Sequence, residues 1–211
     1  MTAYCTTANV RTIANLSTTD ISDSDLRDIL AVARKFVMQD VSAEIVDERV
    51  KTIDAYRENL IDSDNTIFYV QNSLNWYFFD RNGDGELTTT DVKVYSYDQD
   101  DDSRTELTVS AIDESGFVTL ASAPSNTTTN KLTISYRYSR ISIDDVRLVQ
   151  AAAFLTAALA FTKLRADEMD NVSFGALKGI QKRKTFEWYD LRYRGLVTDM
   201  AKIPRRSRHA V

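Results

Sequence analysis

Apolar positions along the chain keep a helical rhythm at both ends and a strand rhythm in the middle. Leu26, Ile29, Leu30, Ala33, Phe36 and Val37 recur at steps of three and four, which lays one apolar stripe along a helix starting near Asp25. Ser22 or Ser24 can cap it, and Asp23, Asp25 and Asp28 put negative charge in its first turns, where the helix dipole favours it. Ile45, Val46, Val50, Ile53 and Tyr56 suggest a second helical stretch with a charged, solvated face. Residues 1–16 show no clear period and read as an arm that orders on assembly.

From Ile67 the pattern changes. Ile67–Val70 and Trp76–Phe79 are short aromatic and apolar runs, and Val92–Tyr97 alternates as a half-buried strand does. Leu107–Ile112, Phe117–Leu120 and Leu132–Tyr138 continue the theme, with an acidic turn at 98–103, a hairpin turn at Asp113–Gly116 and a polar loop at 124–130. The helical rhythm returns after Ser142, a candidate cap followed by Asp144 and Asp145. Val146, Val149, Ala153, Phe154, Ala157 and Phe161 form a stripe widened by Ala152, Leu155 and Ala158, which predicts a central helix that neighbours approach closely. A break near Asp170–Asn171 precedes a last helix, from about Phe174 to Ala201, weakened by Gly175, Gly179 and Gly195 and ended by Pro204.

The predicted class is α+β: a small helical bundle with a long C-terminal helix and a β-rich insertion of about five strands. The expected divisions are an N-terminal arm at 1–20, a helical core from 21–66 and 139–202, the β-rich insertion at 67–138, and a basic C-terminal tail at 203–211.

Composition narrows the function. Cys5 is the sole cysteine among 211 residues, which rules out an intramolecular disulfide and a Cys-rich zinc site. Residues 1–20 lack the basic start and apolar run of a secretory leader. The apolar run Ala151–Phe161 falls short of the roughly 20 residues a bilayer needs, so no membrane partner is expected. Charge is uneven: residues 161–211 hold 12 Lys/Arg against 6 Asp/Glu, and the preceding residues hold 14 against 25. An acidic body with a basic end suggests an acidic partner for that end.

One motif carries chemistry. In Asp80-Arg-Asn82-Gly-Asp84-Gly85-Glu86-Leu-Thr88-Thr-Thr-Asp91, side-chain oxygens fall at loop positions 1, 3, 5, 9 and 12, with Gly at position 6. Calcium takes six to eight oxygens, and a sharply turned loop lets consecutive side chains surround one ion. Asp80, Asn82, Asp84, the Glu86 carbonyl, Thr88 and Asp91 are the candidate ligands, and Ca2+ in a structural role is the candidate cofactor. Asp91 stands where the EF-hand has Glu; this resembles the dockerin variant of the loop. The flanks look like strands rather than helices. The run also reads as an acidic hairpin turn holding no ion, since Asn-Gly and Asp-Gly favour turns by themselves.

Catalysis finds little support. His209 is the sole histidine, and no nucleophile elbow, P-loop or dinucleotide fingerprint occurs. The expectation is a non-enzyme.

The order of parts is informative. The capped opening Asp20-Ile-Ser-Asp-Ser-Asp-Leu26 leads to Val92-Lys-Val-Tyr-Ser-Tyr97. Val109–Leu120, Ala123-Pro124 and Leu132-Thr-Ile-Ser-Tyr-Arg-Tyr138 follow, then the Ala-rich helix and the basic end. Over roughly residues 20–200 this layout resembles the head–tail connector adaptors, or head-completion proteins, of long-tailed viruses of bacteria and archaea. The resemblance implies a virion structural protein, made in the host cytoplasm and placed in the neck at the head–tail interface. Such adaptors form a ring, a dodecamer in the family, that joins the portal to the tail or to a second connector protein. They extend the channel through which DNA passes without sequence-specific binding. Lys202, Arg205, Arg206, Arg208 and His209 would then reach the portal. The alternative is a calcium-dependent, dockerin-like extracellular protein-binding module; a dockerin, however, carries a second copy of the loop, and this chain has one.

Overall fold

The computed structural model describes residues 4–50, 61, 63–70, 76–98, 103–125, 130–170 and 176–201. The class is α+β, and the chain divides into two compact units: a sheet unit, Ser42–Ile143, and a helical unit made of Thr2–Val41 with Asp144–Val211.

The helical unit contains α1 (Thr7–Ala14), α2 (Asp23–Val41), α3 (Val146–Asp170) and α4 (Ala176–Ala201). Helix α3 packs against each of the other three. Leu148, Ala151, Ala152, Ala153, Thr156, Ala157, Ala158 and Ala160 are all buried, so this segment is enclosed nearly all round rather than along one stripe. Alanine makes this possible, because a methyl side chain lets neighbouring backbones come close. Thr156 satisfies its hydroxyl within the helix, donating to the Ala152 carbonyl at 2.6 Å. Val146, expected on the stripe, is exposed. By length and composition Val146–Leu164, a wider span than the run Ala151–Phe161, is apolar enough to cross a membrane. Its buried alanines are equally those of a core helix.

Where α3 carries aromatics, α4 answers with its own. Phe161 stacks on Tyr189 with ring centroids 5.7 Å apart, and Phe154 meets Trp188 edge-on at 5.9 Å. Tyr189 donates its hydroxyl to the Ile13 carbonyl at 3.2 Å, and Tyr193 donates to Asp40, so both buried rings satisfy their polar ends. Burial comes first, and the Asp40 carboxylate second, in pushing the Tyr193 phenol far above its ordinary range.

The expected arm contains α1. Thr6 and Asn9 form a reciprocal capping box, in which the Asn9 N–H donates to the Thr6 hydroxyl at 3.3 Å and the Thr6 N–H to the Asn9 side chain at 2.8 Å. At two turns, α1 is too short to display a period, yet Val10 and Ala14 are buried. Arg11 ties it to the start of α2 by donating to the Ser17 carbonyl at 2.7 Å, the Ile21 carbonyl at 3.0 Å and the Asp23 carboxylate at 2.6 Å. Ser22 caps α2 through its hydroxyl, 3.1 Å from the Asp25 N–H. Cys5 is fully buried, and burial pushes its thiol up to about 11 against the opposing pull of Arg34.

The sheet unit holds β1 (Ser42–Arg49), β2 (Ile67–Tyr69), β3 (Tyr77–Phe79), β4 (Lys93–Asp98), β5 (Ser103–Leu107), β6 (Val109–Asp113), β7 (Phe117–Leu120) and β8 (Asn130–Ser139). The larger sheet runs β1-β8-β4-β5, with β3 also paired to β8; the smaller runs β2-β7-β6, and all pairs are antiparallel. Its core takes alternate residues, Leu132, Ile134 and Tyr136 from β8 and Val94 from β4, with Phe68, Phe78, Phe79 and Val118. Glu114 joins the two sheets, its carbonyl accepting the Phe78 N–H at 2.8 Å.

Two expectations change here. Residues 45–50 are not helical: Ile45 and Val46 lie in β1, so the sheet unit begins at Ser42 rather than 67 and extends to Ile143 rather than 138. The apolar spacing of this stretch suits either element, and β8 supplies a long edge on which β-branched residues pair. The strand Ser103–Leu107 is the other; four of its five residues are exposed, so it has no apolar signature. Ile53 and Tyr56 lie outside the described residues.

Asp145, not Ser142, caps α3, its carboxylate accepting the Arg147 N–H at 2.9 Å. Hydrogen bonding to the Arg147 side chain holds this carboxyl below its ordinary range. Its contribution is therefore complete above about pH 4 and lost as pH falls through the lowered value. Asp145→Ala is expected to destabilise the protein by about 1 kcal/mol in urea unfolding at pH 7, with the deficit shrinking at pH 3.

Candidate cation-binding loop

The candidate loop leaves and rejoins one strand line. Tyr77–Phe79 pair with β8 from Ser139 to Arg137, and Lys93–Asp98 pair with the same side of β8 from Ser135 to Asn130. Continuing β3 would put Arg81 opposite Ser135; Lys93 stands there instead, so 12 residues are looped out of one interrupted strand. The flanks are strands, as the aromatic run Trp76–Phe79 and the alternation of Val92–Tyr97 predict.

Asp80 and Asp91 close the loop, and both are fully buried. The Asp80 carboxylate accepts the Gly83 N–H at 2.6 Å through Oδ1 and the Gly85 N–H at 2.7 Å through Oδ2. Asp91 Oδ1 accepts the Arg81 N–H at 2.7 Å and the Asn82 N–H at 3.3 Å, while Oδ2 accepts the Thr88 N–H at 2.8 Å and its hydroxyl at 3.2 Å. Asp91 also ends a short 3-10 turn, Thr89–Asp91. The exposed rim is a second layer: Asn82 Oδ1 accepts the Asp84 N–H, and Asp84 Oδ1 accepts the Glu86 N–H, both at 2.8 Å. Asp84 Oδ2 also accepts from the Asn82 amide at 2.8 Å.

Chain reversal inside the loop needs left-handed backbone at Gly83, φ 80°, and Gly85, φ 91°. The motif singles out Gly85; Gly83 is legible as the second half of Asn-Gly. Leu87 is the residue the motif misses: it is buried and anchors the loop by its apolar side chain.

Burial pushes the Asp80 carboxyl up to about 6, with the negative charges of Asp91 and Asp84 adding to the rise and the two glycine amides opposing it. The buried Asp80 carboxylate thus feels two others around the turn, an arrangement that a hard cation relieves. Among the described residues no three His, Cys, Asp or Glu side chains are gathered as a ready-made metal cage. The donor set is nonetheless all oxygen, which fits calcium. Each carboxylate oxygen engaged by an amide keeps further lone-pair capacity. Asp80, Asn82, Asp84, Thr88, Asp91 and the Glu86 carbonyl would hold the ion, and its charge would cross-link the two ends of the interrupted strand.

The second acidic cluster, Asp98 with Asp100, Asp101 and Asp102, is described only at Asp98, which ends β4. Lys202, Arg205, Arg206, Arg208 and His209 lie outside the described residues.

Asp91→Ala removes the acceptor for three backbone N–H groups around a buried turn. With chelator present, urea unfolding is expected to show a loss of about 2–3 kcal/mol. Asp84→Ala, whose partners are exposed, should cost under about 1 kcal/mol. Compared with known proteins, the chain matches no family model, no curated protein and no solved structure.

Proposed function

We propose that this chain is a virion structural protein without catalytic activity. In this reading it is an adaptor subunit whose ring joins the portal of a long-tailed virus to the tail or to a second connector protein, in the neck of the particle. The observation that carries the reading is the order of parts. Helices α1 and α2 before the sheet unit and α3 and α4 after it form one helical unit centred on the alanine-rich α3, and the sheet unit departs from it between α2 and α3. This is the order of parts on which the resemblance to the connector adaptors rests. Exposed apolar side chains, Phe36 on α2 and Trp188 and Leu191 on α4, offer contact surface for neighbouring chains. The acidic body would repel DNA passing through the lumen, and the basic C-terminal end would engage the portal.

Within this reading the loop from Asp80 to Asp91 holds a structural calcium ion that stiffens the sheet unit. A second reading, a calcium-dependent extracellular binding module, draws its support from that loop alone and gives no role to the helical unit.

Two measurements test these assignments. Co-expression with the portal of the same virus is expected to yield rings visible by negative-stain imaging, and deletion of residues 203–211 should abolish portal capture. Failure of the full chain to assemble with the portal would remove the connector reading. Calcium at about 100 times its dissociation constant should raise the unfolding free energy by about 2.7 kcal/mol, and Asp80→Ala combined with Asp84→Ala should erase the gain. A calcium response without portal binding would favour the second reading.

A further inference from the structure

We propose that the outer edge of β5 pairs with the same strand of a second copy of this chain, antiparallel and centred on Thr105. Among the described residues, β1, β3 and β5 each leave one side unpaired in the larger sheet, as β2 and β6 do in the smaller. An open strand edge is a template for another strand, and proteins blunt such edges with bulges, by keeping them short or with charged side chains. Strand β1 shifts register between Ile45 and Glu48, with Asp47 at φ 54°, and β6 shifts between Val109 and Ala111. Strands β2 and β3 have three residues each. Strand β5 has neither a bulge nor so short a run, and charge, at Arg104 and Glu106, is the device it carries. It pairs with β4 over five consecutive residues without a shift, and Ser103–Glu106 are exposed.

The sequence of this edge selects its occupant. Ser103-Arg104-Thr105-Glu106-Leu107 is self-complementary in charge. A two-fold axis through Thr105 sets Arg104 of each copy opposite Glu106 of the other, twice per contact, at the separation where directly opposed cross-strand pairs interact. An in-register parallel approach would set Arg104 against Arg104 and Glu106 against Glu106, which like charges disfavour. Arg104 lies flat, its guanidinium 3.7 Å from the centroid of the Tyr95 ring, and it pairs with Asp47; Glu106 sits 3.2 Å from Lys93. All four charged side chains in those ion pairs are 40–53% exposed. Such pairs contribute little and exchange partners readily.

This contact stands apart from the connector reading. It concerns the free chain, since a ring whose copies all point the same way cannot keep a two-fold pair, and assembly would open it.

Sedimentation equilibrium of the full chain over a concentration series is expected to show mass rising from 23.9 kDa toward twice that value. The association should weaken as NaCl is raised from about 50 to about 500 mM. Arg104→Glu and Glu106→Arg should each raise the dissociation constant about tenfold by opposing like charges across the axis. The two together should restore it to near the original value, with circular dichroism melts confirming that every variant folds. A chain that stays monomeric throughout, a dimer indifferent to salt and to either reversal, or a combined variant as weak as the single ones would overturn the proposal.

Discussion

The backbone pairing of β8 is the constraint on which the larger sheet depends. This ten-residue strand has β1 on one side and both β4 and β3 on the other, so the registers of these three strands are read against it. Its alternation decides which face is inward. Leu132, Ile134 and Tyr136 are buried, and slipping the pairing by one residue would turn all three outward. The Tyr136 hydroxyl, carried inward by this arrangement, donates to Glu48 on β1 at 2.8 Å, so the buried ring keeps its donor satisfied.

From that constraint the candidate loop follows. Because β3 and β4 both align to β8, residues between them must leave and return at neighbouring points. A turn this tight, with Asp80 and Asp91 both fully buried, is tolerable because backbone amides face the carboxylates. Those hydrogen bonds offset much of the desolvation cost, but not all of it, as the raised Asp80 carboxyl shows. A strand-flanked loop cannot swing a helix as a sensor EF-hand does, so an ion here would act by fixing geometry.

The helical unit reaches its density by different means. Small side chains along α3 let neighbours approach, while Phe154, Phe161 and Tyr189 fill the space between α3 and α4, with the half-exposed Trp188 at its rim. Polar ends are then satisfied one by one: Tyr189 by the Ile13 carbonyl, Tyr193 by Asp40, and Arg11 by the chain leading into α2. The connector reading relies on this unit being assembled from helices on either side of the sheet unit in sequence, which runs between α2 and α3.

The α+β class, α2, α3, the strand character around the loop and the turn from Asp80 to Asp91 were legible in the sequence, because periodicity and spacing are local properties. The hairpin at Asp113–Gly116 was legible for the same reason: Gly116, at φ 101°, donates its N–H to the Asp113 carbonyl at 3.0 Å. Tertiary structure decided the rest. Helix α1 is too short to show a period and is held by its cap and by Arg11. Strand β1 has spacing that suits two elements, and β8 selected one of them. Strand β5 has no apolar face, so only its partner β4 reveals it. The 12-residue offset that splices the loop into a strand is a relation between distant segments, which hydrogen bonds fix in space and no run of neighbouring residues encodes.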